Sequence, residues 1–167
     1  MSIKNVFFIL MLNILSVDAS SQNFVASKGI KLNLPTDPII IHSGESIFFK
    51  YPDWVLAHQV LNPRTFYTGI DLTGLLQSYI RNIFEPKVGA LANWLQVMAK
   101  GQAKAFKVSD ENYRKFILNE FTVYSVFDSE GKNGHIFLVG KGYVSHFNVL
   151  SDEKTYLNFL EVLKKGA

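Results

Sequence analysis

The spacing of apolar positions changes repeatedly along this chain, and each change marks an element. Gly29-Ile30-Lys31-Leu32-Asn33-Leu34-Pro35 alternates apolar and polar and stops at proline, the pattern of a half-buried strand. Asp37-Pro38 makes a turn, Ile39-Ile40-Ile41 a short buried run, and Ser43-Gly44-Glu45-Ser46 a second turn. Ile47-Phe48-Phe49-Lys50-Tyr51 is rich in β-formers and ends at Pro52-Asp53. One or two strands fall between 55 and 70, the clearer being Thr65-Phe66-Tyr67-Thr68. The period then lengthens. Leu72, Leu75, Leu76, Tyr79, Ile80 and Ile83 form one continuous helical stripe, preceded by Asp71 as an N-cap. Pro86 breaks this helix and suits the first turn of a second, 86–100, with Leu91, Trp94, Leu95 and Met98 on its apolar face and Gly101 as its C-terminal cap.

A period of two returns over 103–108, and further strands fall near 113–127, 134–139 and 143–150. Gly140-Lys141-Gly142 joins the last pair and is short enough for a tight hairpin. A closing helix over 152–165 starts at Ser151 or Asp152 and presents Tyr156, Phe159, Leu160 and Leu163 on one face. Strands, two helices, strands and a helix predict an α+β fold: an antiparallel sheet covered by helices, α/β/α sandwich-like, with a C-terminal helix. No linker, charge block or repeat divides 22–167, which reads as a single globular domain.

Residues 1–21 read differently. Lys4 is the only charge before an apolar run over 6–17, and the small residues Ala19-Ser20-Ser21 follow. That is the pattern of a secretory signal peptide. The run contains Asn13 and Ser16 and falls short of the ~20 apolar residues of a spanning helix. Cleavage is expected after Ala19, or alternatively after Ser21. The expected location is therefore secreted or periplasmic, with no integral membrane span once the segment is removed.

Composition narrows the chemistry. The 167 residues are 48% hydrophobic and 14% aromatic, too much apolar surface for a disordered chain. A formal charge of +3, scattered along the sequence, gives no argument for nucleic acid as a partner. The absence of cysteine removes thiol nucleophiles, disulfides, thiolate-held zinc, iron–sulfur clusters and a lipoprotein anchor. No Gly-x-Ser-x-Gly elbow and no phosphate-cradling glycine loop occurs, so no catalytic residue and no cofactor is expected.

The 134–150 hairpin carries the sharpest candidate. A Gly140-Lys141 loop sets His135 directly opposite His146, whereas a Lys141-Gly142 loop makes them diagonal neighbours. Both of these registers put them on one face with Phe137, Val139, Val144 and Asn148, and Ile136, Leu138, Phe147 and Val149 on the other, whereas a three-residue loop would separate the histidines onto opposite faces. Two close imidazoles can bind a ligand, move a proton or help to hold a metal. A catalytic zinc takes three protein ligands, however, and no His-x-His or His-x-x-x-His occurs, so no metal is expected. Trp54, after Tyr51-Pro52-Asp53, is a second binding candidate, as an aromatic on a loop. Asp53, Asp71, Asp110, Asp128 and Asp152 sit where turns and caps want them.

The order of elements resembles the PsbP-like superfamily. The likeness is carried by Gly29 to Pro35, Phe49-Lys50-Tyr51-Pro52-Asp53-Trp54, a helical middle, a meander ending Gly142-Tyr143-Val144-Ser145-His146-Phe147-Asn148-Val149, and a closing Phe159-Leu160-Glu161-Val162-Leu163-Lys164 helix. The resemblance implies a compact α/β/α sandwich and a non-enzymatic accessory or binding role, and carries over no functional residue. The expected function is an exported, non-enzymatic accessory or binding protein of the periplasm or cell envelope, engaging a protein or small ligand. The alternatives are an immunity or inhibitor protein against a secreted toxin, and a small hydrolase or metal-binding enzyme using His135 and His146.

Overall fold

A computed structural model describes residues 21–27, 29–86 and 91–166. The expected export segment lies outside the described residues except for Ser21. In chain order the elements are β1 (Ser21–Ser27), β2 (Ile30–Pro35), β3 (Ile39–Ser43), β4 (Ser46–Lys50), β5 (Val55–Leu61), α1 (Leu76–Phe84), α2 (Asn93–Ala105), β6 (Tyr113–Leu118), β7 (Phe121–Asp128), β8 (Asn133–Val139), β9 (Val144–Leu150) and α3 (Glu153–Lys165). β1 and β2 pair as a separate hairpin, and the remaining strands form a seven-stranded antiparallel sheet in the order β3-β4-β5-β9-β8-β7-β6. This is the α+β arrangement expected, with the C-terminal helix in place.

Strand alternation gives the sheet two apolar faces, and each is covered. Phe49, Leu56, Val123, Ile136, Leu138, Phe147 and Val149 point to one side. There they pack against Ile30, Leu32 and Leu34 of β2 and Tyr156, Phe159, Leu160 and Leu163 of α3. Leu61, Tyr124, Val126, Phe137, Val139 and Val144 point to the other, under Tyr79, Ile80, Ile83 and Phe84 of α1 and Leu95 and Ala99 of α2. The fold is thus three layers deep. Backbone closure ties the outer layer together, because the Lys31 N–H donates to the Gly166 carbonyl at 2.8 Å. Among the described residues, no helix is long and apolar enough to cross a membrane.

Several elements depart from the sequence reading. α1 starts at Leu76 because Leu72 to Leu75 forms a turn, in which the Asp71 carboxylate accepts from the Thr73 N–H at 2.8 Å. α2 runs from 93 to 105, so its buried stripe is Leu95 and Ala99, with Leu91 just before it, and Trp94 falls off that stripe at 51% exposure. Its last turn and the turn at 106–107 that follows replace the strand expected over 103–108. Asn119, at φ 51°, divides the strand expected over 113–127 into β6 and β7. Thr65 to Thr68 forms a turn beside a single bridge, Tyr67 to Ile70. The Ile39-Ile40-Ile41 run is an edge strand rather than a buried one, with the three side chains 62%, 42% and 48% exposed.

Candidate functional site

The helices cover only part of their face. Strand register lays the residues of that face out in cross-strand rows. One row runs Ser46, Gln59, His146, Phe137, Tyr124 across β4, β5, β9, β8 and β7. The next runs Phe48, Ala57, Asn148, His135, Val126. Both rows are apolar where α1 and α2 lie over them, at Phe137, Tyr124 and Val126; beyond that the first is polar at His146, Gln59 and Ser46, and the second carries His135 and Asn148 before ending at Ala57 and Phe48. The boundary is where a sheet face passes from packed to bare, so the polar side chains stand where no helix demands apolar contact. They line an open cleft of about 340 Å³ with Ser46, Phe48, Gln59, Asn133, His135, His146 and Asn148 on its walls.

The hairpin takes the Lys141-Gly142 loop, closed by the Gly140 N–H donating to the Tyr143 carbonyl at 3.1 Å. His135 therefore faces Asn148 and His146 faces Phe137, making the histidines diagonal neighbours. Their rings are close to coplanar, 12° apart, with centroids 5.4 Å apart and His135 Nδ1 3.1 Å from His146 Nε2. A centroid separation this much longer than the nitrogen separation means that the imidazoles lie end to end, joined by an N–H···N hydrogen bond, rather than face to face. Each ring rests on a phenylalanine instead: His135 on Phe106 at 4.0 Å, His146 on Phe137 at 4.3 Å and 11°.

Two side-chain amides surround the His135 end of that bond. Asn148 Nδ2 donates to Asn133 Oδ1 at 2.6 Å and to the Gly134 carbonyl at 3.2 Å. Asn133 Nδ2 in turn donates to His135 Nε2 at 3.3 Å. His135 Nδ1 also lies 3.2 Å from Asn148 Nδ2, so both ring nitrogens of His135 face an amide, and the donor in the contact with His146 Nε2 follows from the tautomer. Across the cleft, Ser46 Oγ donates to Gln59 Oε1 at 3.0 Å. Within the described residues this leaves His146 Nδ1, the Gln59 amide N–H₂ as a donor and the Asn148 side-chain carbonyl as an acceptor for something outside the network.

Burial holds both rings neutral. Desolvation pushes His135 down to about 4, and His146 to about 3 with a further contribution from the neighbouring His135 and His58. His58 stands on the opposite face of the sheet, where Nε2 meets Ser145 Oγ at 2.8 Å between the rings of Phe24 and Phe147. Burial lowers it to about 4 as well, partly offset by the Ala26 backbone.

No protein-family model matches this chain, and no curated protein matches it.

The structure brings His135 and His146 into one site and places Trp54 elsewhere. Trp54 stacks on Tyr51 at 4.4 Å and 7° on the α3 side of the sheet, at a smaller apolar cleft shared with Leu34, Phe159 and Val162. Among the described residues, no group of three His, Cys, Asp or Glu side chains converges in a way that could hold a metal ion. The acidic residues Asp71, Asp128 and Asp152 accept backbone N–H bonds from Thr73, Glu130 and Thr155. Sequence reasoning missed Ser46, Gln59 and Asn133. Gln59 carried a signal only in its place on a β-rich stretch, and its alignment with His146 depends on β5 pairing with β9 across a long sequence separation.

Proposed function

We propose that the protein is an exported, non-enzymatic binding protein whose cleft between β4, β5, β9 and β8 takes a small uncharged ligand. One observation carries this reading: the cleft is lined by amide, hydroxyl and imidazole groups held in fixed directions, beside the flat ring of Phe48. A few convergent polar groups over apolar walls are what orients a small ligand. A charged ligand would need a compensating charge on those walls, and the lining residues supply none. Imidazoles pushed down to about 4 and 3 are weak bases near neutral pH, which favours binding over hydrolysis. The resemblance in element order to the PsbP-like superfamily points the same way, and a cut after Ala19 would leave β1 whole.

The test is an amide NMR titration with neutral monosaccharides, nucleosides and primary amides as probes. Binding is expected to move the signals of Gln59, His135, His146 and Asn148 together, and Gln59→Ala is expected to weaken that response at least tenfold. Probes that leave these signals in place, or that bind Gln59→Ala equally well, would refute the reading. So would turnover of a hydrolase substrate panel that disappears in a His135→Ala/His146→Ala variant.

A further inference from the structure

The seven-stranded sheet has two edges, and the chain treats them differently. The β6 edge carries Arg114 and Lys115, with Lys115 bound to Glu85 at 2.7 Å and Lys164 of α3 lying 5.3 Å over the ring of Phe116. Charged side chains, lysine above all, are how an edge strand is kept from pairing with another chain. The β3 edge reads Ile39-Ile40-Ile41-His42-Ser43, with no charge, proline or bulge within it and its isoleucines exposed. Among the described residues no strand takes up its outer backbone ladder.

The phase of that ladder follows from the turn beside it. Ser43 and Ser46 are opposite each other across the two-residue loop Gly44-Glu45, and Gly44 at φ 58° is the first central residue of a type II′ turn. The pair closing such a turn is hydrogen-bonded, so Ser43, Ile41 and Ile39 bond inward to β4. Ile40 and His42 then present their N–H and C=O groups outward. This pattern complements itself. A second β3 laid antiparallel across a two-fold axis at Ile41 sets Ile40 opposite His42 of the second copy, and His42 opposite its Ile40. All four outward donors and acceptors on each side are then used. Ile41 meets its own counterpart at the axis as a non-bonded pair, the closer of the two pair types. A shift to centre on Ile40 would set His42 against Pro38, which has no N–H to give.

We infer that β3 is a self-pairing edge, through which two copies of this chain join their sheets into one continuous antiparallel sheet. A two-fold axis normal to the sheet brings the same face of both copies to the same side. Both polar clefts then open in one direction, with the Ile39–Ile41–Phe48 surface between them. A strand of five residues buries well under the ~1,200 Å² of a stable interface, so the dimer is a weak, concentration-dependent one.

Sedimentation velocity on the purified chain from about 5 to 500 µM tests this. The expected result is a monomer–dimer equilibrium that Ile41→Lys weakens at least tenfold, by setting two ammonium groups at the axis of an exposed strand. Register is read separately, because the chain has no cysteine of its own. Ile41→Cys is expected to form a disulfide-linked dimer under mild oxidation at least tenfold faster than Ile39→Cys, whose counterpart across the axis is Ser43. A monomer at every concentration overturns the inference and leaves the edge to an extended peptide from another protein. Association that survives Ile41→Lys, as contacts through residues 1–20 would, overturns it, as do equal cross-linking rates.

Discussion

Gly134 is where the sheet and α3 come closest, and replacing it gives a quantitative test of the packing. It lies on β8 opposite Phe127 and Val149, and a Cβ built there would stand 2.3 Å from Cδ2 and Cε2 of Tyr156. Carbon atoms in contact sit at about 3.5 Å or more, so Gly134→Ala forces the ring back by roughly 1.2 Å. The ring has little room, since Tyr156 is buried and stacked on Phe127 at 4.9 Å and 28°. Overpacking of this kind costs about 1–3 kcal/mol. Backbone stiffening from glycine to alanine offsets only about 0.5–1 kcal/mol, because φ at Gly134 is not positive and alanine adopts the strand freely. A net loss of about 1–2 kcal/mol is expected, a fall in Tm of roughly 2–8 °C for a chain this size. Urea unfolding followed by tryptophan fluorescence measures it. The cause is isolated by a double-mutant cycle with Tyr156→Leu, in whose background Gly134→Ala should be neutral or stabilising. An unchanged midpoint for Gly134→Ala, or the same loss with the tyrosine ring gone, would refute the steric argument.

The buried histidines predict a pH dependence. His58, His135 and His146 stay neutral in the fold down to about 4, 4 and 3, while in the unfolded chain they take up protons below about 6.5. The unfolded state therefore binds more protons between these values. The stability these residues contribute is complete above pH 6.5 and is lost as pH falls toward 4, each ring accounting for as much as ~1.4 kcal/mol per pH unit. Urea midpoints that stay level from pH 7.5 to 4.5 would show that the rings titrate freely. His58→Leu alone should cost about 1–3 kcal/mol by leaving the Ser145 hydroxyl buried without its ring nitrogen, and His58→Leu/Ser145→Ala should recover most of it in the same assay.

What the sequence made legible was what is local. The 134–150 hairpin, its face assignment and the stripe of α3 follow from neighbouring residues and turn chemistry, and a two-residue loop puts the two histidines on one face in either of its registers. The edges were not legible. A run of three isoleucines reads as interior because periodicity reports how apolar a segment is, and whether another strand covers it depends on sheet order. Trp94 followed from the same limit, since it stands about 100° from Leu95 around the helix axis and the packing of α2 on the sheet decides which of the two is buried. The cleft fell between the two cases. Its β8–β9 wall was visible in the hairpin, while Ser46 and Gln59 reach it only through the pairing of β4, β5 and β9.

The strand order also governs when this chain can fold. β9, last of the strands to be synthesised, lies in the middle of the sheet, and β3-β4-β5 joins β6-β7-β8 only through it. Until residues 144–150 emerge, the amino-terminal half has no neighbour on which to close, and α3 and the Gly166 clasp come later still. Such non-local pairing folds slowly. A polypeptide that withholds its central strand to the end leaves the two halves of its sheet unjoined through nearly all of its synthesis.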